Sequence, residues 1–194
     1  GKLTPELEKQ VANAGTMVAL EDIYLPYRPK RKTRATAARE KGLQPLADLL
    51  LEQKNTDLQT EALKYVNTEK GVATPEEALA GARDIIAELI SEHAETRARM
   101  RGLFINKGIF QSRVVEGKEE TGIKYRDYFD WSEPEKTAPS HRVLAMRRGE
   151  KEEILWLDIT PPEDEAMALL DSAFVNSTNP SADQVRLAII DRYK

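Results

Sequence analysis

The sequence predicts a mainly α fold: a multi-helix array with a helix-turn-helix-like module and a small antiparallel β element. Apolar residues recur at helical spacing over most of the 194 residues, Thr or Ser beside Pro repeatedly marks helix starts, and β-branched clusters are confined to the stretch after Gly108. A chain that is 40% hydrophobic and 32% charged has enough apolar surface for one large domain or two small ones.

The elements follow in order. Thr4-Pro5-Glu6 starts a helix, because a Thr oxygen caps free amides and Pro fits the first helical position. Leu7, Val11, Ala14 and Val18 continue it at helical spacing, Gly15 weakens it, and Thr16 caps a second helix through Leu20, Ile23, Tyr24 and Leu25. Pro26 and Pro29 stop that helix. Thr33 then caps a short helix to Lys41, with Gly42 at a left-handed end. Pro45 opens a helix with a Leu46, Leu49, Leu50 stripe, and Thr56 to Asn67 gives a weaker one around Leu58, Ala62, Leu63 and Val66. Helices this short are marginal alone, so they must pack on neighbours.

Thr74-Pro75-Glu76-Glu77 is a capping box, opening a helix whose buried stripe is Ala78, Leu79, Ala82, Ile86, Leu89 and Ile90. A further helix from about Ala94 to Lys107 turns Met100, Leu103 and Phe104 inward. Several short helices between Pro45 and Lys107 fit a helix-turn-helix-like unit and equally a plain bundle. After Gly108 the period changes: Ile109 to Glu116 reads as a strand, Tyr125 to Trp131 as a helical turn on the core, and Ile154 to Ile159 as a second strand. Ser140 is the expected cap of a helix through Met146 to Gly149. Pro161-Pro162 precedes an acidic amphipathic helix from Glu163 to Val175, and Ser181 to Gln184 is a second capping-box pattern. The expected divisions are 1–45 (N-terminal helices and basic arm), 46–108 (helix-turn-helix-like helical module), 109–160 (small α/β element) and 161–194 (C-terminal helices leading into a missing downstream domain). The missing initiator Met and a final helix reaching the last residue suggest a piece of a longer protein.

Composition excludes several chemistries. Zero cysteines rule out disulfides and thiolate-held metals, and two histidines, His93 and His141, leave little for a histidine metal site. No Walker, dinucleotide, zinc-protease or nucleophile-elbow pattern is present. Ser140-His141 reads as a helix start rather than a nucleophile and base, since adjacent residues rarely converge on one atom. No catalytic residue, metal site or cofactor is therefore expected, and no small-molecule substrate. No apolar run approaches the roughly 20 residues needed to cross a bilayer, so the expected partner is not a membrane and the expected location is the cytoplasm.

One stretch stands out electrostatically. Between Tyr27 and Lys41 lie Arg28, Lys30, Arg31, Lys32, Arg34, Arg39 and Lys41 against the single anion Glu40, in a chain of formal net charge -4. Phosphate contact needs several cations within reach of a nucleic-acid backbone, with stacking surfaces such as Tyr24 or Tyr27, and this segment offers both. The same cations fit two other readings, a solvated charged face or an internal strut docked on acidic surface. Arg142, Arg147 and Arg148 form a second, smaller cluster.

The stretch EDIYLPYRPKRKTRATAAREKGLQPLA, Glu21 to Ala47, resembles the corresponding segment of the bacterial Tex family of transcription-accessory proteins, relatives of a eukaryotic transcription elongation factor. GVATPEEALAGARDIIAE, SRVVEGKEETGIKYRDYFDWSEP and APSHRVLAMRRGEKE are similar to further family segments in the same order, through about Ile159. The resemblance implies a cytoplasmic, multidomain nucleic-acid-binding parent, of which this chain is a non-enzymatic piece. Its parts would be a helical core, a helix-turn-helix-like module, here at about Leu46 to Lys107, an RNase H-like domain, helix-hairpin-helix elements and a C-terminal OB-fold RNA-binding domain. This chain is similar to the N-terminal helical portion alone. The function so implied is support of RNA or DNA binding in transcription, weak in this piece by itself, with the transcription machinery as a further partner. The alternative is a non-catalytic protein-interaction scaffold that docks other domains of the parent or the transcription machinery.

Overall fold

The computed structural model describes residues 4–27 and 32–193, folded as two compact units. One unit takes the residues up to 98 together with those from 167 onward; the other takes 99–166. The architecture is mainly helical with one small antiparallel sheet, the fold class read from the sequence.

In the first unit, α1 (Pro5–Ala12) and α2 (Met17–Tyr24) start as their capping threonines predict: Thr4 Oγ1 accepts from Leu7 N at 3.2 Å and Thr16 Oγ1 from Ala19 N at 3.1 Å. A 3-10 turn at Leu25–Tyr27 comes next, then α3 (Arg34–Glu40), α4 (Gln44–Glu52), α5 (Leu58–Leu63) and α6 (Pro75–Glu92). Thr74 Oγ1 caps α6 by accepting from Glu77 N at 3.2 Å. Glu77 reaches back one residue further than a simple capping box, its Oε2 accepting from Ala73 N at 2.7 Å.

α6 is the axis of this unit, packed against α3, α4, α5 and the C-terminal helix α10 (Pro180–Tyr193). Its Ala78, Leu79, Ala82, Ile86 and Ile90 are buried as the periodicity predicts, together with Ile85 and Ala87. Leu46 and Leu50 of α4 and Val185 and Ile189 of α10 complete the core at 0% exposure. Each such side chain contributes roughly 1.5–3 kcal/mol through removal from water.

Several local expectations are corrected. Leu89 of α6 is 39% exposed because, in the last turn, it borders an open cleft with Ile23 and Tyr27 rather than a packed helix. The helix expected over Thr56 to Asn67 is only α5, capped by Asp57, whose Oδ1 accepts from Gln59 N at 3.2 Å. Beyond α5 the chain forms a 3-10 turn, Thr68–Lys70, closed by an isolated bridge between Asn67 and Val72. α7 (Ala94–Lys107) forms where expected, but none of Met100, Leu103 and Phe104 is buried; cations at Arg97, Arg99 and Arg101 interrupt the apolar face, and only Thr96 is covered. α10 is capped by Asn179, not by Ser181: Pro180 occupies the first helical position and Asn179 Oδ1 accepts from Ala182 N at 3.0 Å. Ser181 is instead fully buried and donates to the Lys54 carbonyl at 3.0 Å.

The second unit holds β1 (Ile109–Val114), β2 (Asp130–Pro134) and β3 (Leu155–Thr160), antiparallel in the order β2-β1-β3. Ile109 opposes Pro134 on one side and Thr160 on the other. α8 (Ser140–Lys151) packs on β3, and Phe110, Tyr125, Met146, Ile154 and Leu155 form the core beneath. The sequence reading puts Trp131 in a helical turn with Tyr125. The turn ends as a 3-10 helix at Ile123–Tyr128, and Trp131 enters β2, because β1 offers a free edge to which even a Pro-ended segment can pair. Ser140 opens α8 without serving as its cap; Pro139 holds the capping position and no side chain bonds there.

Lys124, Tyr125 and Glu152 tie that 3-10 helix to the end of α8. Lys124 Nζ lies 2.6 Å from Glu152 Oε2 and 5.0 Å above the Tyr125 ring. Hydrogen bonds from Lys124 and then Tyr125 hold the Glu152 carboxyl below its ordinary value. A depressed carboxyl stabilises the fold above its unfolded pKa and loses that contribution as pH falls through the folded value. Glu152→Gln is therefore expected to flatten the acid side of this unit's melting-temperature profile. An acid limb as steep as in the parent chain would contradict the linkage.

Candidate nucleic-acid interface

The basic segment is built on α3, and α3 is short, so its position depends on what it packs against. Ala35 and Ala38 bury its inner face on α6. The approach is close: a methyl group placed on Gly81 of α6 would stand 3.4 Å from Ala38 Cβ and 2.3 Å from Leu43 Cδ1. Thr33 fixes the start, its Oγ1 accepting from Thr36 N at 3.0 Å while its hydroxyl donates to Glu88 Oε1 at 2.9 Å. Gly42, at φ +85°, fixes the end in the left-handed conformation that glycine adopts without steric cost.

Of the seven cations singled out, Arg28, Lys30 and Arg31 lie outside the described residues. The other four share one helix and its flanks, and each has a partner within the chain. Arg39 donates through Nη1 to Glu88 Oε2 and through Nε to Gln44 Oε1 at 3.0 Å. Lys41 Nζ donates to the Gly71 carbonyl at 2.8 Å. Arg34 Nε stands 3.3 Å from Asp84 Oδ1, and Lys32 Nζ 2.9 Å from Glu40 Oε2.

Exposure separates them. The Glu88 side chain is only 10% exposed and Arg39 39%, so that pair is a strut between α3 and α6. The Lys32 and Arg34 side chains are 69% and 79% exposed. Ion pairs that open to water are worth about 0–1 kcal/mol and are screened by salt, so these two cations can exchange a carboxylate for a phosphate at little cost. Tyr24 and Tyr27, at 54% and 42% exposure, supply ring faces at the end of α2.

Two cations of the second basic cluster are engaged locally, while Arg148 is exposed on α8. Arg142 lies 5.0 Å over the Trp131 ring and bonds Glu133 Oε2 at 3.1 Å, and Arg147 pairs with Glu150 at 2.7 Å. His141 is exposed on α8. His93 caps α7, its Nδ1 accepting from Thr96 N at 3.3 Å, and its ring meets Phe174 edge-on at 5.3 Å. Among the described residues no group of three or more His, Asp or Glu is arranged to hold a metal ion, and no helix is long and apolar enough to cross a membrane.

Comparison with known proteins finds relatives of this chain. Residues 53–188 match a family model described as Tex central region-like, which covers more than half of the chain. The chain belongs to the Tex family. It is 47% identical over 82% of its length to Protein tex of Bordetella pertussis, of which it covers 20%. It is 45% identical over 80% of its length to the transcriptional accessory protein Tex of Neisseria gonorrhoeae, again covering 20% of that protein. A more distant relative, the S1 RNA-binding domain-containing protein 1 of Pongo abelii, is 30% identical over 82% of the chain, which spans 16% of it. This Tex-family chain thus spans about a fifth of the curated relatives named here.

Proposed function

We propose that this chain is a non-enzymatic part of a cytoplasmic Tex-like transcription accessory protein and supports nucleic-acid binding by presenting Lys32 and Arg34 to phosphates. Arg28, Lys30 and Arg31 join that contact, and Arg39 and Lys41 hold its scaffold. The observation that carries the reading is the pair of highly exposed cations at the start of α3, Arg34 in its first turn and Lys32 just before its Thr33 cap, on a helix locked to α6 through Glu88, within a family whose named relatives include a transcriptional accessory protein and an S1 RNA-binding domain-containing protein. A backbone already anchored loses little further freedom when the side chains it carries bind.

The test is a titration of labelled RNA and DNA into the chain across about 50 to 200 mM salt. Affinity is expected to fall with salt. Lys32→Glu with Arg34→Glu should weaken it for both nucleic acids and reduce the slope of log K against log salt by about 1.4 on a single strand and 1.8 on a duplex, from two lost contacts. Absence of binding at the lowest salt overturns the reading.

A docking scaffold is the second reading, favoured by one feature. α1 and α2 enclose an apolar groove of about 520 Å³ lined by Leu7, Val11, Leu20, Ile23, Tyr24 and Tyr27. If the double variant binds nucleic acid like the parent chain but loses association with other Tex domains, this second reading replaces the first.

A further inference from the structure

Two Lys-Gly pairs far apart in sequence meet at the end of α3. Lys41-Gly42 closes α3, and Lys70-Gly71 closes the 3-10 turn Thr68–Lys70. Both glycines have positive φ, +85° and +70°. The side chains cross. Lys41 reaches over Gly71, donating to its carbonyl, and a methyl group on Gly71 would find only Lys41 atoms within 4 Å, at 3.8 Å. In return, a methyl group on Gly42 would find only Lys70 Nζ, also at 3.8 Å. Two ammonium groups therefore stand over two residues that have no side chains to cover them.

Like charges held near one another repel, and each would normally be offset by a carboxylate. Here neither lysine has a carboxylate partner among the described residues. The adjoining cleft, about 410 Å³ and lined by Arg34, Lys41, Gly71, Glu77 and Asp84, does contain two acids, but both are engaged. Asp84 faces Arg34, and Glu77 accepts from the Ala73 amide. Lys41 spends one of its three N–H donors on the Gly71 carbonyl, which orients the ammonium and leaves two for a ligand.

We propose that Lys41 and Lys70, above Gly42 and Gly71, form a seat for a nucleic-acid phosphate, extending the contact made by Lys32 and Arg34 along α3. This rests on the nucleic-acid reading above. The chemistry fits an oxyanion with several acceptor oxygens: two ammonium groups supply charge, Arg34 lines the adjoining cleft together with Lys41, and glycines without side chains let a bulky phosphodiester approach. Lys70 lies outside the basic segment, so the seat adds a residue that charge patterning along the chain does not mark.

The experiment uses the whole chain, a single-stranded pyrimidine RNA of about 16 nucleotides, and the variants Lys70→Gln, Lys41→Met and the Lys32→Glu, Arg34→Glu pair. Lys70→Gln removes charge from an exposed side chain. It is expected to leave the melting temperature unchanged while lowering the salt slope by about 0.7 for one lost contact. Lys41→Met removes a backbone bond as well, so a second measurement guards against misfolding. With lysines carrying ¹³C at Cε, the Lys41 and Lys70 ε-methylene resonances should shift together on addition of RNA, more than the Lys124 resonance does. Wild-type affinity and slope for Lys70→Gln, with unmoved resonances, overturns the seat while a weakened Lys32, Arg34 pair leaves the wider reading standing. Loss of neither means that both fail. Shifts produced by inorganic phosphate but not by RNA would also overturn the assignment to a nucleic-acid phosphate.

Discussion

Gln53→Ala is expected to lower the stability of the helical unit by about 1–3 kcal/mol, because it removes two hydrogen bonds from a covered side chain to loop backbone groups. Gln53 ends α4 in the left-handed conformation at φ 47° and is only 5% exposed. Its Nε2 donates to the Phe174 carbonyl at 2.6 Å and its Oε1 accepts from Asn176 N at 2.9 Å. Its own carbonyl receives the Asn179 side-chain amide, and the next carbonyl, Lys54, receives Ser181 Oγ at 3.0 Å. One side chain thus clamps the loop between α9 (Glu163–Phe174) and α10 to the end of α4. Gln53→Gly loses the same two bonds but relieves the left-handed backbone, and should fall by about 1 kcal/mol less than Ala. Urea unfolding followed by helical circular dichroism measures both. An Ala variant within 0.5 kcal/mol (about the effect of an ordinary surface change) would mean the clamp contributes nothing.

Gly149→Val is expected to cost the sheet-containing unit about 3 kcal/mol or more through overpacking. α8 lies on β3 at Gly149, where an added methyl would stand 2.6 Å from Leu155 Cδ1, 2.8 Å from Leu155 Cγ and 3.3 Å from Tyr125 Cδ1. Leu155 is 2% exposed and Tyr125 5%, so neither has open space into which to move. Gly149→Ala should be milder, since helix propensity returns about 1 kcal/mol of the same strain. Gly102→Ala in α7 is the control: nothing lies within 4 Å of its added methyl, so propensity alone should raise stability by up to about 1 kcal/mol. The ordering Val below Ala below parent at 149, with a gain at 102, is readable in thermal melts. A Val variant as stable as the parent would refute the close approach.

The candidate interface was half legible in the chain. Seven cations from Arg28 to the Lys41-Gly42 end are a linear pattern, and linear charge density is visible without a fold. Which of the described ones face outward is not. Arg34 and Arg39 are five positions apart on one short helix, yet Arg34 stays 79% exposed while Arg39 is drawn onto the 10% exposed Glu88, and the difference comes from where α6 lies. Lys70 carries no linear signal beyond its Lys-Gly dipeptide, because the turn it ends is far from α3 in sequence.

By itself, then, the sequence determined the elements whose causes lie within one helical turn: the Thr4, Thr16, Thr33 and Thr74 caps, the prolines that begin or stop helices, and the Gly42 end. It also determined the family, through long ordered segments. Only the tertiary structure decided the strand containing Trp131, the burial of Ser181, the Gln53 clamp and the crossing of Lys41 with Lys70. For most of these the stabilising partner is distant along the chain: β1 for Trp131, Lys54 for Ser181, Phe174 for Gln53 and Gly71 for Lys41. A cap completes its bonds with its own next few amides, so residue identity suffices. A clamp or an edge strand completes them only after folding has brought a second segment alongside, so the packing around α6 and β1 is what selects it.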